Sequence, residues 1–491
     1  MSNTRFWSFD VVIVGAGITG LSTALKLQQE GKKCLVAEAA TIGFGTSGGT
    51  TAHLNTFMDS SYADIEKNFS ERDALLVCQA AKDAITLVEK NISTFNISCD
   101  FERKDGYLYS QDDKQTKELD EILEASRRAG CDVDYVDSIP LDIPFQKAIS
   151  FKGQAQFHPT KYLNGLAQAF EEAGGVILEN CRVAGVKELE GSLEVQTPAA
   201  TVTAGHLVYA THVPPGVNLL HFRNAAYRSY VLAILLDNNA YPEGLAYDME
   251  DPYHYYRTQV INGQNYLIAG GEDHKTGDEE NTEFCFHKLE SYLRQYFTFS
   301  EVAFKWSSQY YEPADGLPYI GHLPGNPSTV FTATGYSGNG MIYSHVAAML
   351  LTDIIQQREN NLQALFDPER VKLLAGFSSV VKESADVVAK FVSKFYDHTK
   401  IKELDEIVND DGKIIKFGDD VMAVYRDTSG ILHAVHPACT HINCHVTWNN
   451  TEKSWDCPCH GSRFDMDGKV LTAPARKNLQ PIALGAQDKG E

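Results

Sequence analysis

Hydrophobic residues first gather in a short continuous run, Asp10-Val-Val-Ile-Val14, of the kind that makes a strand buried on both faces. A glycine-rich turn, Gly15-Ala-Gly17-Ile-Thr-Gly20, follows at once, and Ile18, Leu21, Ala24, Leu25 and Leu27 then recur at helical spacing up to Gly31. A second strand-like run, Cys34-Leu-Val-Ala-Glu38, completes a strand–helix–strand unit. Helical periodicity returns over 64–95, and a strand is expected over 100–109. Pro159 opens a helix expected over 162–173, and 176–179 and 202–209 read as strands. Between 216 and 310 the chain is rich in Tyr and Phe and alternates in short runs, at 227–236 and 253–268, which predicts an antiparallel sheet. A helix is predicted over 342–355. Residues 366–396 place Val371, Leu374, Phe377, Val381, Val388, Phe391 and Phe395 on apolar helical faces. Without the basic face of a membrane-surface helix, this stretch is expected to pack on the protein's own body. From 401 short strands take over, at 414–417, 421–426 and 431–435, as in a small β module.

Composition narrows the picture modestly. A length of 491 residues suits about three domains, and 43% apolar content is ordinary for a globular chain. The 43 basic and 65 acidic residues leave a net charge of −22, which opposes binding to nucleic acid or to anionic membrane surfaces. The longest apolar stretches, such as 230–236, fall far short of the roughly 18 residues a spanning helix needs. With no signal-peptide pattern, the reading is a soluble, cytoplasmic protein without a transmembrane segment. Of ten cysteines, four lie within 439–459, while Cys34, Cys78, Cys99, Cys131, Cys181 and Cys285 are dispersed and read as reduced and structural.

Two patterns carry chemistry. The first is the glycine turn between strand and helix, with Glu38 eighteen residues beyond Gly20. Gly15, Gly17 and Gly20 allow a tight turn and close approach of a pyrophosphate to the helix N-terminus, while Glu38 suits ribose hydroxyls. The second is Cys439-Thr-His441 followed by Cys457-Pro-Cys459-His460. Two thiolates on one iron and two imidazoles on the other would make a [2Fe–2S] cluster running from about −150 to +300 mV. Tetrahedral zinc accepts the same donors, but zinc fingers keep like ligands together, and here each pair mixes Cys with His.

The neighbouring residues bring in families. Cys439-Thr-His441-Ile-Asn-Cys444 and Cys457-Pro-Cys459-His460-Gly-Ser462-Arg-Phe464 closely resemble the two cluster loops of Rieske proteins from cytochrome bc complexes. That resemblance implies Cys439, His441, Cys457 and His460 as ligands, a Cys444–Cys459 disulfide clamping the loops, and Ser462 as a hydroxyl donor to a cluster sulfur. Phe464 stands where high-potential members have a tyrosine, which should lower the potential. Gly43-Phe-Gly45-Thr-Ser-Gly48-Gly49-Thr-Thr-Ala-His53, Asp315-Gly316-Leu-Pro318-Tyr-Ile-Gly321 and Gly335-Tyr336-Ser337-Gly338-Asn-Gly340-Met341 resemble the flavin-contacting segments of the D-amino acid oxidase/glycine oxidase/sarcosine oxidase superfamily. This resemblance runs over about 9–360. The whole layout is similar to bacterial FAD-dependent oxidoreductases with a C-terminal Rieske domain.

The implied architecture is an α/β, Rossmann-like FAD-binding domain of the GR2 type, an interleaved antiparallel-sheet substrate domain, and a C-terminal all-β Rieske domain. Residues 1–80, 150–215 and 311–365 would form the FAD domain, 81–149 and 216–310 the substrate domain, 366–400 a helical connector and 401–491 the Rieske domain. Besides the dinucleotide motif, the implied FAD contacts are Thr46, Ser47, Thr51, His53, Val183, Gly316, Gly335, Ser337, Gly338, Gly340 and Met341. The stretch ending at His53 also resembles the loop that carries FAD covalently in dimethylglycine and sarcosine dehydrogenases, with Ala52 replacing a tryptophan, so a covalent bond and a noncovalent contact both stay open.

No second GxGxxG follows in mid-chain, which points to an organic substrate as the reductant of the flavin. The superfamily's reaction is hydride transfer from an amine-bearing carbon to FAD. A reduced flavin holds two electrons and a Rieske cluster accepts one, so the resemblance implies an amine or amino-acid dehydrogenase that passes electrons singly to an unidentified external acceptor. Sarcosine-oxidase-type members grip the substrate carboxylate with a lysine where this chain has Ile342. Arg228 and Arg257, flanked by aromatic residues, are the alternative candidates for that grip, or surface and interface ion pairs, and Tyr256 is a candidate pocket residue. Two other functions stay open: a flavin–Rieske electron carrier between partners, and an oxygen-using oxidase with a structural metal module.

Overall fold

The structure is a computed structural model and describes residues 7–279, 281–370, 399–400, 404–418 and 420–484. The first hydrophobic run becomes the strand Trp7–Val14, which lies between Cys34–Ala37 and Thr201–Tyr209 and runs parallel to both. Val11, Val12 and Ile13 are wholly buried because a parallel sheet is covered on both faces. Val176–Leu178 extends this sheet at one edge and Val330–Thr334 and Tyr319–His322 at the other, with the hairpin Gly185–Leu189/Ser192–Gln196 branching from it, eight strands in all. Helices Ile18–Gln29 and Gly340–Ile355 pack against each other, joined by a 2.8 Å hydrogen bond between the Thr19 and Ser344 hydroxyls.

A nine-stranded sheet supplies the second layer. Its long strands are Asn224–Leu236, Gln264–Lys275 and Phe299–Pro313. It is antiparallel except where Leu245–Tyr247 runs parallel to Glu102–Ser110. One face buries Tyr230, Leu232, Ile234, Tyr256, Leu267 and Ala269 against Cys285, Phe286, Leu289 and Leu293 of helix Thr282–Leu293. The other face turns toward the first sheet. His53–Leu54 and Lys147–Gln156 also join this sheet, so the ranges expected to be FAD-binding feed both layers.

Two sequence expectations shift in detail. The periodic stretch 64–95 is two helices, Tyr62–Asn68 and Glu71–Phe95, because Ser70 accepts from the Asp73 N–H and starts the second one afresh. The alternating run 253–268 is two strands, Tyr255–Ile261 and Gln264–Lys275. Asn262 and Gly263 both have positive φ, 51° and 80°, and make the two-residue hairpin between them. The expected connector over 366–396 lies almost wholly outside the described residues; Phe366 closes the short helix Gln363–Phe366.

The C-terminal module is built from two four-stranded sheets. One pairs Thr399–Lys400, Asp411–Phe417, Asp420–Arg426 and Leu432–Val435; the other pairs Thr447–Asn449, Ser454–Asp456, Arg463–Asp465 and Val470–Thr472. Trp448, Trp455, Phe464 and Tyr425 fill its core. The module sits directly on the rest of the protein. Gly461, at φ 71°, has no room for a side chain, since a Cβ would come within 2.7 Å of Ala226, Gln309 and Tyr311. No helix among the described residues is long and apolar enough to cross a membrane.

Candidate redox centres

In the C-terminal module, the loops after Leu432–Val435 and Ser454–Asp456 face each other. Hydrogen bonds between Cys439 and Cys444 and between Cys457 and Ser462 close each loop on itself. A Cys444–Cys459 disulfide joins the two. The thiols of Cys439 and Cys457 are free and buried. They face each other, and the Cys457 thiol, followed by burial acting the opposite way, sets a net lowering at Cys439. The His441 and His460 rings stand 5.0 Å apart at right angles, and all four of their nitrogens are buried without a hydrogen-bond partner. Burial pushes both imidazoles down, to about 4 at His441 and about 2 at His460, where His441 adds to the effect. Neutral imidazoles, and cysteines placed side by side to bind as thiolates, are what a metal requires of its ligands. Cys444, Cys457 and Cys459 also lie with their sulfurs within 4.8 Å of one another, but the disulfide occupies two of the three. Ser462 lies at the Cys439 sulfur and accepts from the Ala475 N–H, and Phe464 is wholly buried beside Trp455. His221 and Phe222 cover the histidine edge, their rings 4.7 Å from His441 and 5.3 Å from His460.

The second centre is a cavity of about 640 Å³ between the two large sheets. Gly15, Gly17 and Glu38 line one end. Gly15 adopts φ 107° and a Cβ there would lie 2.6 Å from the Ala210 carbonyl; at Gly20 it would lie 1.9 Å from the Gly15 carbonyl. Gly17 caps helix Ile18–Gln29 without a side chain, leaving backbone N–H groups at the helix start for an anion. Glu38 accepts from the Ala16 and Ala40 N–H groups at 2.7 and 2.8 Å, which fixes its carboxylate beside the turn.

Thr46, Ser47, Thr51, His53, Val183, Ser337, Gly338, Gly340 and Met341 also line the cavity. Gly20, Gly316 and Gly335 do not. Gly316 and Gly335 hold positive-φ turns, at 89° and 76°, against Ser60 and Asn224. His53 meets the Tyr247 hydroxyl through Nδ1, and its Nε2 is buried without a partner. Burial, with Arg257 nearby, holds it neutral, well below the ordinary range.

The three catalytic candidates lie elsewhere. Arg228 is 1% exposed and grips carboxylates, but they are Glu452 and Asp456 of the C-terminal module. Desolvation pushes its guanidinium down to about 10. Tyr256 points into the core behind the sheet, because neighbours on a strand face opposite ways and Tyr255 takes the cavity side. Arg257 is buried under the His53 loop, donating to the Phe157 and Ala52 carbonyls at 3.1 and 3.4 Å and to Gln259. The cavity wall is instead made by residues the sequence reading passed over: Asp59, Ser229, Tyr247, Tyr253, Tyr255, Asp273 and Tyr310. The one available signal was strand alternation, which places Tyr255 on the face opposite Tyr256.

The two centres share a wall. Leu471, Thr472, Ala473, Ala475 and Arg476 of the C-terminal module line the cavity, as do His212, Gln309 and Tyr311. The Tyr311 hydroxyl donates to the His460 carbonyl at 3.2 Å, and Gln309 Nε2 donates to the Gly461 carbonyl at 3.0 Å.

Comparison with known proteins agrees with both centres. The family model for FAD dependent oxidoreductases (DAO) matches residues 10–354, and that for the Rieske [2Fe-2S] domain matches residues 397–483. The chain is 31% identical over 477 residues to YhfW, a Bacillus subtilis (strain 168) protein named for a Rieske 2Fe-2S centre; the match covers 97% of this chain and 93% of that one. It is 25% identical over 367 residues to the gamma-glutamylputrescine oxidoreductase of Escherichia coli (strain K12), covering 71% and 83%. The fold is similar to that of glycine oxidase from Geobacillus kaustophilus, with a TM-score of 0.61, 18% identity, and coverage of 74% of this chain and 99% of that one.

Proposed function

Because the chain belongs to the DAO family of FAD-dependent oxidoreductases and carries a C-terminal Rieske [2Fe-2S] domain, we propose that it oxidises a carbon–nitrogen bond of an amine or amino acid and passes the electrons singly through the Rieske centre to an external acceptor. The donor set and the cavity described above fit the two groups. When bound, FAD supplies the hydride acceptor and the cluster a one-electron store.

The observation that carries the proposal is the shared wall. Residues 471–476 close the flavin cavity, and Tyr311 spans from the cavity lining to the backbone of a cluster ligand. Such contact suits direct internal transfer and has no purpose in an oxidase that discharges to oxygen. The chain's own residues shape the rest. Asn55 and His53 converge on the Tyr247 hydroxyl and order the wall around the reacting space. The neutral, buried His53 offers a ring nitrogen with no competing partner. Relatives of this fold fit the substrate class, since E. coli gamma-glutamylputrescine oxidoreductase is named for an amine derivative and glycine oxidase for an amino acid. We place the reaction in the cytoplasm, in keeping with six buried cysteines outside the cluster module that are all free.

The test is an anaerobic screen of amines and amino acids on the holoenzyme, following the flavin and cluster absorption separately. Substrate should bleach the flavin first and the cluster after it, without added reductant. Reduction only by a partner protein would overturn the proposal in favour of an electron carrier.

A further inference from the structure

The cavity end made by the nine-stranded sheet is acidic and aromatic. Asp273 reaches it from strand Gln264–Lys275, where its Oδ2 accepts from the Tyr310 hydroxyl at 2.8 Å. Its Oδ1 is buried, with the Ser229 hydroxyl as its polar neighbour. Asp59 faces the same space and accepts from the Gly338 N–H at 2.5 Å. Burial raises both carboxyls, Asp273 to about 6, and the charge of Asp59 adds to that rise. Tyr253 and Tyr255, with ring centroids 5.8 Å apart, stand beside them.

An unpaired buried carboxylate is unfavourable until a cation meets it. Among the described residues the cavity lining holds seven acidic side chains and two arginines, and neither arginine is spare. Arg182 donates to the Val470 carbonyl and faces Glu38 of the dinucleotide motif, and Arg476 donates to the Pro215 carbonyl. Arg228 and Arg257, candidates for either a substrate-carboxylate grip or an ion pair, are committed to Asp456 and Glu452 and to backbone carbonyls. A ligand carboxylate at this end would therefore meet Asp273 and Asp59, the two lining arginines being engaged elsewhere. A ligand ammonium would find two carboxylates at this end of the cavity and the electron-rich faces of phenol rings.

We propose that the substrate is an alkylamine or diamine without a carboxylate on the amine-bearing carbon, its ammonium group received by Asp273 and Asp59 beside Tyr253 and Tyr255. This rests on the amine-oxidation reading above and narrows it. The binding step needs no residue beyond these, and the carboxylate of an amino acid is what the site rejects.

The test is titration of the anaerobic holoenzyme with matched pairs, reading the shift of the flavin absorption on binding: n-butylamine against norvaline, and 1,4-diaminobutane against ornithine. Each amine should bind about tenfold or more tightly than its carboxylated counterpart, and Asp273→Asn should weaken amine binding by about tenfold or more at unchanged FAD and iron content. Asp59→Asn is the second variant, with the same expected direction, should Asp273→Asn not fold. Equal or tighter binding of the amino acids, no binding of either class, or amine affinity indifferent to both variants would overturn the proposal. Amine binding without bleaching would keep this inference and remove the oxidation reading. Bleaching by amino acids in preference to the amines would keep the oxidation reading and remove this inference.

Discussion

The proposed cluster site takes all its donors from one stretch, Cys439 to Ser462, while the cavity gathers its lining from residues as far apart as Val14 and Arg476. The first needs two loops and the bond between them. The second needs the register of two sheets, a glycine turn at their junction and the docking of the C-terminal module. A local site should therefore fail residue by residue, and a distributed one should fail when any packing relation shifts.

The sharpest break in this comparison is removal of a ligand. Cys439→Ser or His460→Ala should abolish the cluster, taking about two irons and two acid-labile sulfides per chain to none, while FAD stays bound. Iron, sulfide and zinc analysis checks it, and stoichiometric zinc in the unmutated protein would sink the cluster assignment. The reciprocal break is Gly20→Ala. Its Cβ would fall 1.9 Å from the Gly15 carbonyl, so the turn must open and FAD content should drop by about tenfold or more, the cluster remaining. Parallel loss of both cofactors in either variant would show that the two regions do not fold independently.

A smaller effect should follow at the seam. Arg228→Ala leaves Glu452 and Asp456 to Arg463 alone, removes the salt bridge across the seam, and should cost about 1–3 kcal/mol of module docking. Stopped-flow reduction should then show flavin bleaching unchanged and cluster reduction slowed. Milder still, Cys444→Ser should reduce cluster retention and lower its potential without preventing assembly, because the disulfide clamps loops whose ligands are still present. Nonreducing alkylation and mass spectrometry should recover a Cys444–Cys459 pair from the native protein.

The weakest expected signal is in pH. Asp273 is faced by Asp59, Tyr253, Tyr310, Ser229 and His254, and its carboxyl is raised to about 6. The stability this contributes without ligand is present below the usual carboxylate range and lost as pH rises through about 6. Cation binding should run the opposite way, weakening as pH falls through about 6. Thermal melts and ligand titrations from about one unit below to about two units above that value separate the two trends.

The chain by itself determined what is local. Val11–Val14 with Gly15, Gly17 and Gly20 specifies a strand, a turn and an anion-ready helix start within one segment, and Cys439, His441, Cys457 and His460 give the proposed donor set by type and spacing. Tertiary structure decided which way side chains face and what they meet. Tyr255 lines the cavity and Tyr256 does not, a difference of one residue in phase that only the packing of helix Thr282–Leu293 behind the sheet resolves. Arg228 stayed open between a substrate grip and an interface ion pair because its partners, Glu452 and Asp456, lie more than two hundred positions along the chain. The acidity of the sheet end of the cavity was equally invisible, since Asp59 and Asp273 come from separate segments and meet only when the sheets pack.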